Sequence, residues 1–164
     1  MGEKVVQRTF APSSICFGCG PANELGLRIS STRCEGGLEA WVRPAPEHQA
    51  FPGMIAGGII GTILDCHGNW TAAIALMDER ADERPPTTVT ASYEVSLKRP
   101  TPTDVDLHVI SKVVMVDDYI PCAWSKRPLF SEAEDGELWV ALIEKAYAKR
   151  FGSYNALKSG QAYN

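Results

Sequence analysis

Residues 56–70, AGGIIGTILDCHGNW, open on a glycine pair and continue with apolar residues at helical spacing. Ile59, Ile60, Ile63, Leu64, His67, Trp70, Ile74 and Met77 recur close to a 3.6-residue period, which predicts one long helix over 57–77. Gly58, Gly61, Asp65, Gly68 or Asn69, and Ala72 are three or four apart, so they share a second face nearly free of bulk. A helix lying on its own sheet should show large apolar side chains, whereas a small-residue face permits close approach by a partner chain or a thin ligand. Asp65 stands in the middle of that face and is the strongest site candidate, weighed against a plainly solvated or ion-paired carboxylate.

Outward from the helix the pattern alternates. LGLRISS (25–31) and LEAWVRP (38–44) read as a hairpin across a Glu35-Gly36-Gly37 turn. Residues 45–55, with Pro46 and Pro52, read as a loop. After the charged linker DERADERPP (78–86), TTVTASYEVSLKRP (87–100) and VDLHVISKVVMV (105–116) read as two long strands joined through Pro-Thr-Pro. Beyond Val116 the pattern changes to a proline-broken stretch and an expected amphipathic helix from about Gly136 to Phe151, with Leu138, Trp139, Leu142, Ile143, Ala146 and Tyr147 inward.

The 164 residues suit one domain of ordinary size, and 45% hydrophobic with 22% charged residues place the chain among globular proteins. A net charge of -4, with basic residues scattered, argues against a nucleic-acid binder. No apolar run reaches the roughly 20 residues of a membrane span. The opening MGEKVVQRTFAP has no apolar signal core, and Val6 stands where a myristoylation signal needs Ser or Thr. The expectation is a cytoplasmic protein with no membrane partner.

Five cysteines form no paired framework, which suits reduced thiols. Cys16 and Cys19 make a C-x-x-C, but the metal reading needs a second pair of comparable spacing, and Cys34, Cys66 and Cys122 stand alone. A tight glycine turn with buried thiols is the expectation, with no metal and no cofactor. A thioredoxin-like role lacks the helix signal that should follow the motif.

CFGCGPANELGLRI (16–29), PEHQAFPGMIAGGIIGTILDCHGNW (46–70) and VTASYEVSLKRPTPTD (89–104), in this order, resemble a hot-dog-fold acyl-CoA thioesterase of the PaaI-like group over about residues 10–116. The resemblance implies an α+β fold: an antiparallel sheet wrapped around a long central helix, paired into homodimers or homotetramers. It implies catalytic roles for Gly57 and Gly58, whose backbone N–H polarises a thioester carbonyl, and for Asp65 as base or nucleophile. A helix N-terminus offers free donors and a positive dipole end to a developing oxyanion, so the chemistry is physically coherent. Gly58 and Asp65 are about 10 Å apart along a helix, so the resemblance implies that the two groups serve one carbonyl from different subunits. Substrate contacts are expected at His48 near the entrance and at Gly61 and Asn69 on the small face. Ala56 and Ala50 depart from the polar residues the family has at these places. His67, on the apolar side, reads as a core histidine.

From about Val114 to Tyr163, VVMVDDYIPC and PLFSEAEDGELWVALIEKAYAKRFGSYNALKSGQAY resemble an internal piece of the calpain cysteine-protease core. In calpains the nucleophilic cysteine lies upstream of this piece and the histidine and asparagine lie downstream. Cys122 is not in the nucleophile's setting and no histidine follows it, so proteolysis is not expected.

The chain therefore reads as a hot-dog domain over 1–116, incomplete at its C-terminal strands, followed by a calpain-like helical segment over 117–164 without catalytic residues. The expected function is hydrolysis of acyl-CoA thioesters. A catalytically silent acyl-binding or dimerisation module and a non-proteolytic calpain-like fragment are the alternatives.

Overall fold

A computed structural model describes residues 4–90, 93–116, 121–124 and 140–143. The elements run α1 (Val6–Phe10), β1 (Ser31–Cys34), β2 (Gly37–Val42), a 3-10 turn (Pro46–His48), β3 (Gln49–Phe51), β4 (Met54–Ile55), α2 (Gly57–Glu79), β5 (Glu94–Leu97), β6 (Leu107–Val116), β7 (Pro121–Trp124) and β8 (Val140–Ile143). An antiparallel sheet in the order β1-β2-β6-β7 packs against the long helix α2, while β3 pairs with β4 and β5 with β8. This is the α+β, sheet-and-helix architecture that the sequence predicts.

The core lies between α2 and the sheet. Ile60, Ile63 and Leu64 on the helix meet Ala40, Val42, Leu107 and Val109 on the strands. Ile63, Leu38 and Leu107 are wholly buried, and each such side chain contributes about 1.5–3 kcal/mol relative to exposure. Gly36 turns the first hairpin with φ +74°, a backbone region that costs glycine little, so Cys34 pairs directly with Gly37.

Several expectations are corrected. The first strand is Ser31–Cys34, not 25–31. Residues 25–30 direct their backbone elsewhere: Leu27 N–H donates to the Phe17 carbonyl, Ile29 N–H to the Gly18 carbonyl and Leu25 N–H to the Asn23 side chain. Among the described residues of 87–100, regular strand covers Glu94–Leu97, and the side chains of Thr88 and Thr90 bond to the Asn69 side chain. The expected loop at 45–55 contains the β3–β4 hairpin, turned at Gly53 with φ +80°.

The expected helix over 136–151 is overturned at its centre, where residues 140–143 form β8, with Leu97 opposite Val140 and Glu94 opposite Ile143. A short apolar run such as WVALI fits either period, and an open strand edge decides between them. Leu138, Trp139, Ala146 and Tyr147 lie outside the described residues. The strands beyond Val116 thus pair with β5 and β6 of the first part of the chain.

Candidate functional site

Three faces of α2 meet three different parts of the chain, and each sets the chemistry of its side chains. His67 looks toward the sheet and is 1% exposed. Its Nε2–H donates to the Leu38 carbonyl at 3.1 Å, and its Nδ1 accepts from the Ser31 hydroxyl at 2.9 Å. Ser31 is in turn bonded twice to the buried Gln7 of α1. Burial pushes the His67 pKa down to about 4, so the ring is neutral and structural, as its position predicts.

The second face carries Gly61, Asp65 and Asn69. The sequence predicts open approach here, but the chain's own Thr88, Thr90 and Tyr93 cover part of it. A methyl group on Gly61 would stand 3.3 Å from the Tyr93 hydroxyl. Asn69 donates to Thr90 Oγ1 at 3.2 Å and accepts from the Thr88 hydroxyl at 2.6 Å. Asp65 lies between them, half-buried, and its buried Oδ1 has no hydrogen-bond partner among the described residues. A buried carboxylate oxygen left unpaired costs about 1–3 kcal/mol or more, so its retention asks for an explanation.

Gly57 and Gly58 begin the helix, after Ala56 in extended conformation. Both are exposed, and a side chain at Gly58 would meet nothing within 4 Å. The first helical N–H groups have no intrahelical acceptor, so this end presents donors to whatever docks there. Beside it runs a groove of about 310 Å³ lined by Ile55, Gly57, Ile60, Leu97, Lys98 and Arg99. Phe51, Met54 and Leu97 are exposed large apolar side chains on the segments next to it in sequence. His48 is half-buried. Its Nδ1 accepts the Ala45 N–H and its carbonyl accepts the Ala56 N–H, so it fixes the residue that precedes the helix.

The third face was not foreseen. The loop bearing Cys16 and Cys19 closes over α2 and brings both sulfurs within 4.8 Å of Cys66. Cys16 is exposed, Cys19 buried and Cys66 partly buried. Trp70 Nε1–H donates to Cys19 Sγ at 3.2 Å. A hydrogen bond from Cys66, aided by Trp70 and Cys16, pulls the Cys19 pKa below the ordinary thiol value against the effects of burial and the nearby Asp65. The same pairing and burial push the Cys66 thiol up. Only a search for a third thiol spaced on the helix with Trp70 would have signalled this cluster in the sequence.

Solved structures sharing the sheet-and-helix arrangement include thioesterase superfamily proteins. Zebra fish Thioesterase Superfamily Member 2 superposes with a TM-score of 0.57 at 16% identity, over 77% of this chain and 89% of that one. A Bacillus halodurans protein solved with CoA gives 0.53 at 20% identity, over 76% of each chain. The likeness shows a shared hot-dog fold.

The family model for calpain family cysteine protease matches residues 107–164. A calpain-type cysteine protease of Zea mays is 52% identical over 48 residues, which is 29% of this chain and 2% of that protein. The chain thus spans a few per cent of the length of the curated relatives it matches. The family match begins at Leu107 and takes in the whole of β6, a strand bonded on both sides within the sheet. Cys122 lies opposite Met115 in the β6–β7 pair, and His108 is seven residues further along β6, about 23 Å away at strand rise. His108 instead bonds Glu39 at 2.8 Å and stacks on Trp41. Among the described residues no helix is long and apolar enough to cross a membrane.

Proposed function

We propose that the protein hydrolyses acyl-CoA thioesters, with Asp65 as base and the N-terminus of α2 at Gly57–Gly58 as oxyanion site. The observation that carries this reading is the buried, unpartnered Asp65 Oδ1 on the central helix of a thioesterase-superfamily fold. A carboxylate held without a partner keeps its lone pairs for a water molecule or substrate. The exposed donors at Gly57 and Gly58 supply the complementary group.

Gly58 and Asp65 are about 10 Å apart along the helix, too far to act on one carbonyl from the same chain. The site is therefore assembled from two copies, in a homodimer or homotetramer, with open space at Gly58 for the partner's contribution. Lys98 and Arg99 beside the groove suit the phosphates of CoA, and Ile55, Ile60 and Leu97 suit an acyl chain. Gly61, which leaves room for Tyr93, and Asn69, which holds Thr88 and Thr90, set the width of the site, and His48 sets the helix start. The CoA in the Bacillus halodurans structure supports the ligand class.

The test is turnover of a panel of acyl-CoAs by the wild type and Asp65→Asn, with sedimentation to establish assembly. Undiminished turnover in folded Asp65→Asn, or turnover by a monomer, rejects this reading. Binding of acyl-CoA without any hydrolysis would assign the chain to the silent acyl-binding class, which Ala50 and Ala56 favour by removing two polar side chains near the helix start.

A further inference from the structure

We propose that Cys16, Cys19 and Cys66 form a site for a thiophilic divalent cation, zinc foremost, that fastens the 16–29 loop to α2. The three sulfurs lie within 4.8 Å of one another, and Cys16 Sγ and Cys66 Sγ are 3.8 Å apart. Zinc–sulfur bonds of about 2.3 Å in a tetrahedron place neighbouring sulfurs about 3.8 Å apart. That edge already has the length one ion requires. It is nearly twice the ~2 Å of a disulfide, so the thiols are gathered without being joined.

The loop is shaped around the sulfurs. A methyl group on Gly18 would stand 2.3 Å from Cys66 Sγ, so only glycine lets the loop descend this far onto the helix. Gly20 N–H donates to the Cys16 carbonyl at 2.8 Å, closing the turn between the two loop cysteines. Trp70 spends its indole N–H on Cys19 Sγ, the kind of outer bond that orients a metal-bound thiolate. Simple packing of small apolar thiols asks for none of this, and it does not account for the exposed Cys16 at the cluster.

No fourth His, Cys, Asp or Glu joins the group among the described residues, and Cys16 borders solvent, so water or an external ligand completes the coordination. Each thiol releases its proton to solvent as it binds. Because Cys66 follows Asp65 directly, the ion would fix the turn of α2 that carries the carboxylate.

The experiment uses the full chain, purified without metal-affinity resin and kept reduced, titrated with zinc and, separately, with cobalt. The expected result is about one zinc per chain, a thiolate-to-cobalt charge-transfer band, and a melting temperature that rises with zinc and falls with chelator. Loss of an outer-shell donor costs about 10- to 100-fold in affinity, so Trp70→Phe should weaken zinc by at least about 10-fold and Cys66→Ser by about 100-fold or more. Cys16→Ser, at the exposed position, gives the same loss where Cys66→Ser fails to fold, and Gly18→Ala should lower affinity while sparing every sulfur. Absence of zinc binding by the reduced, folded wild type overturns the proposal. So does binding unchanged in folded Cys16→Ser and Cys66→Ser.

Discussion

Two polar side chains two residues apart on α2 are treated in opposite ways. His67 is buried with both ring nitrogens bonded, to Ser31 and Leu38, and its pKa is pushed down to about 4. Asp65 is half-buried with one carboxylate oxygen enclosed and unpartnered. The sheet-facing histidine contributes to the fold. The aspartate leaves a buried oxygen unsatisfied, and the proposed catalytic role gives that cost a reason. Burial alone therefore does not distinguish the two side chains; the completeness of their hydrogen bonding does.

The strongest way to break this contrast is Asp65→Asn. Thioester hydrolysis is expected to fall about 100-fold or more, about 3 kcal/mol in barrier, with the denaturation midpoint unchanged or raised. A variant that hydrolyses normally and unfolds more easily would make Asp65 structural and erase the difference.

The next effect belongs to His67 and to acid. Its unfolded pKa is 6.5 and its folded pKa about 4, so the unfolded chain binds a proton that the folded chain refuses. Stability from this group is complete above pH 6.5 and is lost as pH falls from 6.5 toward 4, by about 3 kcal/mol in all. Denaturant titrations at pH 7 and pH 4, compared with His67→Gln, should show that share missing from the variant. An identical pH slope in both proteins would remove His67 as the cause.

A smaller effect sharpens the contrast on the aspartate's own face. Gly61→Leu forces a side chain against Tyr93, and overpacking of this kind costs about 2 kcal/mol. It should also lower acyl-CoA turnover more than stability alone explains, whereas Ala in place of Gly61 asks Tyr93 to yield only slightly. The smallest effect is expected where α2 ends. Arg33 grips Asp78 through two bonds of 2.6 and 2.8 Å, but both side chains are about half exposed. Solvent screens such a pair, and Arg33→Met should cost under about 1 kcal/mol by thermal unfolding.

The sequence made some of this legible and hid the rest for identifiable reasons. The long run of apolar residues at helical spacing placed α2 within two residues of its observed end, because sustained periodicity is hard to mistake. Alternation over 105–116 located β6 equally well. The stretch LGLRISS misled because alternation says nothing about competitors, and the loop at Phe17–Gly18 takes the backbone of Leu27 and Ile29. α1 escaped notice because a five-residue helix held by the buried Gln7 has no period to display. Asp65 and the glycine pair were readable as residues of one helix, about two turns apart. Cys66 was not readable as a partner of Cys16, because fifty residues separate two thiols that only the folded loop brings together.

The pairing of β2 with β6 has a consequence for how the chain is made. Val42 sits opposite Leu107 and Gly37 opposite Lys112, so this central ladder joins segments 65 and 75 residues apart. During synthesis α2 leaves the ribosome well before residues 107–116 follow it. In that interval the side chains of Ile60, Ile63 and Leu64 have β2 on offer but not the strand that completes their cover. Closing so long a loop is slow, and an apolar helix face left waiting is a target for chaperones and for other nascent chains. The stretch that ends the wait, residues 107–116, is also the one where the calpain match begins, so the two resemblances of the chain meet in the strand that covers this helix face.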